Sequence, residues 1–425
     1  MDRAPASGAG RGSSNLPGDT IDGIKRIVMK FFLKTYGCKV NQYESQVIRE
    51  GLLSKGYEET DNIEDAGLCL VNTCTVTGKA DKKCRETLRG MKRKNPGARV
   101  IAMGCYVEAD AEAVKVIDDT IEVLGNSEKL KLNIDNSISS FKGHTRVFIK
   151  VQDGCNNFCS YCKVPIVRGR SRSKSPEEIF KEAKVLIDNG YKEVVLTGIC
   201  LGDFGKYSYK DTSLTMLVRK ISEIKNDFRI RLSSIELPDV TDELINEMMS
   251  SKKLCQHLHI PLQGGDDGIL REMNRKYTVT DFISRVEYIR SKMPDIGITT
   301  DVIVGFPGES ESNFKNTINA IERIKPSRTH IFTYSPRQGT KASMLKDDIP
   351  SKIKKRRMET LKIIADKLGR EFKDSLAQKE HRVLVENSMD RLTGMLCGYT
   401  DNYVKVLVDG SDELMGCFVW HKCAM

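Results

Sequence analysis

Cys38, Cys74 and Cys105 each close an apolar run: "KFFLKTYGC", "AGLCLVNTC" and "ARVIAMGC". They stand 36 and 31 positions apart. A strand, a crossover helix and the next parallel strand take about thirty residues or more. Helical stretches fill the gaps: "NQYESQVIREGLLSKGY", then the polar "KADKKCRETLRGMKRKNP", stopped by Pro96. The pattern predicts a βαβαβ unit with a parallel sheet. Ligands bind in the crevice beyond the carboxyl ends of such strands. Three thiols distant in sequence are thereby brought to one edge.

From Arg146 to Pro336 the alternation resumes on a larger scale. Strand candidates are "RVFIKVQDG", "KEVVLTG", "IRLSSIE", "HLHIPLQ", "GITTDVIVGFPGE" and "RTHIFTYSP". The helix "SPEEIFKEAKVLIDNG" has Ser175 as cap, Pro176 at its first position, two Glu in its first turn and Asn189-Gly190 at its end. Six β/α steps predict a partial barrel whose working face lies where the strands end. Those ends carry Gly198, Ser233, Glu236, Gln263 and Gly305. Ordinary turn chemistry accounts for the glycines alone. Glu236 and Gln263 stand at or just beyond the ends of apolar strands.

A long basic amphipathic helix follows. Ser351 to Arg382 holds eleven Lys/Arg and five Asp/Glu, a local +6. It reads as a connector with a solvated face, or as a surface for a polyanion. After it, "HRVLVEN", "RLTGMLCGYT", "NYVKVLV" and "LMGCFVW" predict a small all-β barrel, a type that often binds RNA.

The expected organisation is residues 1–28 as a disordered or added extension, 29–140 as an α/β domain, 141–345 as the barrel, 346–379 as the connector and 380–425 as the β unit. No stretch of eighteen apolar residues suggests a membrane span, and no charged start followed by an apolar core suggests secretion. The chain is expected in the cytoplasm. Thirteen cysteines in such a chain point to metal or redox chemistry over a disulfide framework. Cys69, Cys84, Cys200, Cys255, Cys397, Cys417 and Cys423 are expected to be structural or incidental. The net charge of +10 favours a polyanionic partner.

"VQDGCNNFCSYCKVPIVRGRSRSK" places Cys155, Cys159 and Cys162 in the loop after the first barrel strand. Structural zinc needs a fourth Cys or His, and the segment holds none. His144 lies at the wrong end of the preceding strand. A [4Fe–4S] cluster held by three cysteines leaves one iron open to a small molecule.

This C-x₃-C-x₂-C loop on a (β/α)₆ unit resembles the radical S-adenosylmethionine superfamily. "TYGCKVNQYES", "VNTCTVT" and "MGCY" resemble the N-terminal domain of its methylthiotransferases. The C-terminal unit is similar to a TRAM domain. The resemblance spans residues 29 to about 420. It implies a flavodoxin-like N-terminal sheet, a partial radical-SAM barrel and a TRAM barrel. It implies two [4Fe–4S] clusters, one on Cys155, Cys159 and Cys162 and an auxiliary one on Cys38, Cys74 and Cys105. S-adenosylmethionine would bind the open iron of the first, with Tyr161 near its adenine. Gly198, Ser233, Glu236, Gln263 and Gly305 would line the cofactor.

"GCKVNQYES", "QDGCNNFC", "RGRSRS" and "LTGI" are most similar to the branch that methylthiolates N6-threonylcarbamoyladenosine at tRNA position 37. The chemistry implied is replacement of the adenine C2 hydrogen by a methylthio group. A 5′-deoxyadenosyl radical initiates it, and the auxiliary cluster delivers sulfur. The partners implied are the tRNA anticodon stem-loop and a flavodoxin- or ferredoxin-type electron donor. Of the basic run after the cysteines, Arg168 and Arg170 are expected to meet the threonylcarbamoyl carboxylate or an RNA phosphate. Alternatives are N6-isopentenyladenosine in tRNA, a ribosomal-protein aspartate, or a zinc-bearing RNA-binding protein without catalysis.

Overall fold

The computed structural model describes residues 28–129 and 136–422. Almost all of the extension expected at 1–28, and Cys423, lie outside the described residues. The cysteine-terminated runs become β1 (Lys30–Thr35), β3 (Leu68–Thr73) and β4 (Arg99–Gly104). Two short strands extend them, β2 (Glu58–Glu59) and β5 (Glu122–Leu124), too brief to read from apolar runs. All pair in parallel in the order β2-β1-β3-β4-β5. This is the flavodoxin-like doubly wound order. β3 is buried at all six positions, as a central strand covered on both faces must be. The helix Gly78–Lys94 is mostly polar, yet Cys84, Leu88 and Met91 share its one buried stripe.

The barrel strands are β6 (Arg146–Lys150), β9 (Glu193–Thr197), β10 (Arg229–Leu232), β11 (His257–His259), β12 (Gly297–Val304) and β13 (Arg328–Thr333). A short antiparallel pair, β7 (Gln152–Asp153) and β8 (Arg172–Ser173), braces the loop that carries Cys155, Cys159 and Cys162. β6-β9-β10 and β11-β12-β13 form two parallel sheets. Bridges between Ile230 and Leu254 and between Ser234 and His259 join them. The result is the expected (β/α)₆ partial barrel. "IRLSSIE" and "HLHIPLQ" yield only four and three strand residues, because the chain leaves the ladder before the site residues begin. One apolar core runs between the strands and the outer helices, including Ile179, Ala183, Leu186 and Ile187 of Pro176–Asp188.

The connector helix spans Ser351–Ser375. Its positive charge is partly consumed inside: Lys354 and Arg357 are buried. The last unit is an antiparallel sheet of β14 (Glu380–Met389), β15 (Leu396–Thr400), β16 (Lys405–Val408) and β17 (Phe418–Lys422), in the order β16-β15-β14-β17. A bulge between Val385 and Met389 bends β14. This sheet seals the amino end of the barrel. Glu193, at the start of β9, pairs with Arg229 at 2.6 Å and Arg231 at 2.7 Å. Those arginines donate onward to the carbonyls of Tyr399 and Asp401. Gly297 opens β12 without a side chain because the backbone oxygen of Asn402 occupies that space. The carboxyl end is left to the cysteines. Among the described residues no helix is long and apolar enough to cross a membrane.

Candidate active site

Cys38 is the cap residue of the helix Lys39–Ser54, Cys74 follows β3, and Cys105 opens the helix Cys105–Ala109 after β4. Strand register sets them side by side, with Thr35 opposite Asn72 and Thr73 opposite Gly104. The turn at Gly37 wraps onto Cys74: a Cβ there would stand 2.9 Å from the Cys74 sulfur. Polar side chains fix the three loops to one another. Asn41 donates to the carbonyls of Tyr36 and Thr73, and Thr73 Oγ1 donates to Met103 O at 2.6 Å. Cys84, expected to be incidental, donates its thiol to Cys74 O. Burial pushes the Cys74 thiol up to about 12.

The second trio sits where β7 ends. Cys155 N donates to Gly169 O at 3.1 Å, and Cys162 N to Cys159 O at 3.0 Å. The loop is pinned from outside by Ser160, which donates to the carbonyls of Met273 and Glu272, and by Asn274, which donates to Phe158 O. Arg275 Nη1 lies 3.2 Å from Cys159 Sγ and also pairs with Glu236. Burial pushes the Cys162 thiol up to about 12. Tyr161 and Ile303 pack against the cluster that holds Phe306 and Tyr334, on the side expected for a nucleoside. Beneath the loop, Gln152 donates to the carbonyls of Asp153 and Gly154 and accepts from Cys200 N. Gly198 packs directly on that glutamine.

Cys200 is the residue the sequence did not disclose. Its thiol hydrogen-bonds with Cys155 and lowers the Cys155 pKa. Asn157 Nδ2 lies 3.6 Å from its sulfur. Its only sequence signal is its place in the loop after β9, opposite the first barrel loop.

The remaining expected residues gather at the same end. Ser233 carries a buried hydroxyl with no partner among the described residues. Burial raises the Glu236 pKa, opposed by Arg275. Gln263 holds a left-handed backbone, φ 65°, and bridges to Val302. Gly305 also has positive φ, 71°, and a Cβ there would meet Lys354 Cγ at 2.5 Å. Its N–H donates to Glu309 Oε2 at 2.7 Å, and the same oxygen accepts from Arg357 of the connector helix at 2.7 Å.

Arg168 departs from expectation. It is 4% exposed and does not present its guanidinium to a nucleic acid. It pairs with Glu44 at 3.1 Å and Asp153 at 2.9 Å, and its Nε lies 3.3 Å from Cys105 Sγ. Glu44 also binds Lys129 at 2.6 Å and Lys150 at 2.9 Å. Burial alone would raise the Glu44 carboxyl; the three cations outweigh it and hold it well below the usual range. Arg168 is thus the tie between the two cysteine loops. Arg170 is exposed, and its guanidinium lies over the Phe158 ring at 4.5 Å. A second clamp, from Arg337 to Asp81 at 2.6 Å and Thr75 at 2.7 Å, joins the loop after β13 to the Cys74 loop.

Neither cysteine trio has the closeness that tetrahedral zinc requires. Tetrahedral zinc holds thiolate sulfurs about 3.8 Å apart. Among the described residues, the ligand sets whose atoms lie within 4.8 Å of one another are His259, Asp301, His330 and Cys200, Asp203, Asp239; neither trio is one of them. The buried network beside Cys105 counts three cations, Lys129, Lys150 and Arg168, against two carboxylates, Glu44 and Asp153. The surplus positive charge calls for an anionic neighbour, which a thiolate-held cubane supplies.

The description "Radical SAM superfamily" matches residues 149–321, and "Uncharacterized protein family UPF0004" matches residues 30–125. The chain is 36% identical to the threonylcarbamoyladenosine tRNA methylthiotransferase MtaB of Bacillus subtilis (strain 168), over 91% of each chain. It is 38% identical to the protein of that name from Thermotoga maritima, over 88% of this chain and 90% of that one. It is 33% identical to the tRNA-2-methylthio-N(6)-dimethylallyladenosine synthase of Acetivibrio thermocellus, over 92% and 87%. In fold it is similar to the radical S-adenosylmethionine methyltransferase TsrM from Kitasatospora setae, with TM-score 0.52, 14% identity, and coverage of 75% and 77%. The chain belongs to the radical S-adenosylmethionine methylthiotransferase family.

Proposed function

We propose that this protein converts N6-threonylcarbamoyladenosine at tRNA position 37 to its 2-methylthio derivative. The supporting observation is the tie from Arg168 to Cys105, which sets two cysteine trios at one working end. The identities of 35–39% to relatives named for the threonylcarbamoyl substrate, against 33–34% for the dimethylallyl ones, favour that substrate.

In this reading Cys155, Cys159 and Cys162 hold one [4Fe–4S] cluster, and Cys38, Cys74 and Cys105 the auxiliary one. Together with S-adenosylmethionine these groups supply one-electron chemistry at an unactivated C–H bond, and a source of sulfur. The protein supplies placement. Tyr161 walls the cofactor's nucleoside side. The Gly305 turn, braced by Glu309 and Arg357, presents backbone to the cofactor. The unpaired Ser233 hydroxyl is open to a ligand polar group. Arg275 and Arg168 hold positive charge against Cys159 and Cys105. Arg170 takes an RNA phosphate, the C-terminal sheet serves as a TRAM-type RNA contact, and a flavodoxin or ferredoxin provides electrons. The target base leaves its stack to enter, which costs less in a loop than in a duplex.

The test is mass spectrometry of nucleosides after anaerobic incubation with tRNA bearing threonylcarbamoyl- or isopentenyl-adenosine at position 37. Methylthio product on the first RNA supports the reading. Product on the second alone overturns the substrate.

A further inference from the structure

The face of β11, β12 and β13 turned to the barrel lumen is polar where a closed barrel packs branched apolar side chains. Alternate residues along a strand share a face. His257 and His259, Thr299 and Asp301, and Arg328 and His330 therefore stand together. The register sets them in rows: His259 beside Thr299 beside Arg328, then Asp301 beside His330, then Ile303 beside Phe332. The intervening Ile298, Thr300, Val302 and Val304 are buried on the other side. Thr299 Oγ1 bonds both His257 Nε2 at 3.0 Å and His259 Nδ1 at 2.9 Å. His259 Nε2 lies 3.2 Å from Asp301 Oδ2, and the rings of His259 and His330 are 5.8 Å apart.

The column runs from one trio toward the amino-end seal. Its upper member Ile303 packs against the same Phe306 and Tyr334 cluster as Tyr161 of the Cys162 loop, and His257 at its foot packs on Tyr403. Burial first, and then neighbouring charges that include Lys39, the residue after Cys38, lower the pKa of both His257 and His330, so the Lys39 charge lies within reach of the column. Lys39 and Arg328 are exposed, and neither side chain makes a hydrogen bond or ion pair among the described residues. Asp301, the column's one carboxylate, is engaged by His259. Two unmatched cations on a chamber wall call for an anion. They also oppose a divalent ion, although His259, Asp301 and His330 have the composition of a two-histidine, one-carboxylate set.

We propose that this column receives a carboxylate on the N6 substituent of the target adenine, with Arg328 and Lys39 as its counter-charges and His330 beside them. This rests on the function proposed above and names what selects the acidic threonylcarbamoyl group over a neutral dimethylallyl one. An Arg fork suits a carboxylate.

The test uses the full chain with clusters loaded anaerobically, and anticodon stem-loops carrying threonylcarbamoyladenosine or its methyl ester at position 37. The readout is kcat/KM for methylthio product. Wild type is expected to prefer the acid by about tenfold or more, the worth of one charged contact. Arg328→Gln and Lys39→Gln are each expected to bring that ratio toward parity; because the ratio is internal to each variant, altered folding does not mimic the effect. An acid-to-ester ratio near parity in wild type, or one unmoved in both variants, overturns the proposal. So does a divalent metal beyond the cluster iron that is lost in His330→Ala. Product on a dimethylallyl RNA alone sinks the pocket and leaves the methylthiotransferase standing; no product on any RNA sinks both.

Discussion

The guanidinium of Arg168 ends 3.3 Å from the sulfur of Cys105, so a residue six places beyond Cys162 touches the other trio. One short helix, Val164–Arg168, spans that gap. Movement of either cysteine loop is felt by the other through it.

Arg168→Met leaves Glu44 and Asp153 short of a buried partner. The unfolding free energy in denaturant is expected to fall by about 3–5 kcal/mol. Bound iron is expected to fall from about eight toward about four per chain, as the auxiliary cubane is lost. Unchanged stability and iron content would show that the tie carries no energy.

The Glu44 carboxyl is held below its ordinary pKa in the folded chain. Its stabilisation is therefore present above the unfolded value of about 4.3 and is lost as pH falls from there toward the lower folded value. Urea titrations at descending pH should show a steep acid limb. Glu44→Gln should flatten that limb while lowering stability at neutral pH.

The trios are expected to separate genetically. Cys159→Ala should abolish cleavage of S-adenosylmethionine, read as 5′-deoxyadenosine. Cys74→Ala should retain cleavage and form no methylthio nucleoside. Full product from Cys74→Ala would remove the auxiliary site from the reaction.

Gly305→Ala forces a Cβ onto Lys354 at a positive φ. A cost of about 1–3 kcal/mol is expected in thermal or urea unfolding. Arg357→Met removes the buried partner of Glu309, whose carboxylate holds Gly305 N–H. Calorimetry should show S-adenosylmethionine binding weakened about tenfold by the loss of that charged contact.

Arg170→Gln should weaken RNA binding without regard to base identity. The slope of log affinity against log salt should become shallower by about 0.7, one phosphate contact on a single strand. An unchanged slope would place Arg170 away from the RNA.

Much of this site was legible from spacing. Cys38, Cys74 and Cys105 follow apolar runs at the βαβ interval, and strand register places them together. Cys155, Cys159 and Cys162 are local, and their loop follows a strand whatever the rest of the fold does. Arg168 was not legible. In sequence it belongs to a basic run, and its principal partner, Glu44, lies 124 positions away. Cys200 was hidden for the same reason: only the pairing of β6 with β9 brings its loop to Cys155. Two of the nine basic residues of the connector helix were likewise misread, since amphipathic periodicity does not say that Lys354 and Arg357 turn toward Gly305 and Glu309.

The sequence by itself determined the strand and helix order, the parallel sheets, the edge at which thiols collect and the count of three in each set. Those follow from periodicity and chain reach, which act over a few residues to a few tens. The tertiary structure alone decided which charges are spent within the protein and which stay free. Arg168 is consumed by Glu44 and Asp153, while Lys39 and Arg328 stay exposed with no side-chain partner among the described residues. That division depends on through-space distances between elements far apart in the chain, and a charge takes its meaning from the dielectric and the partners around it.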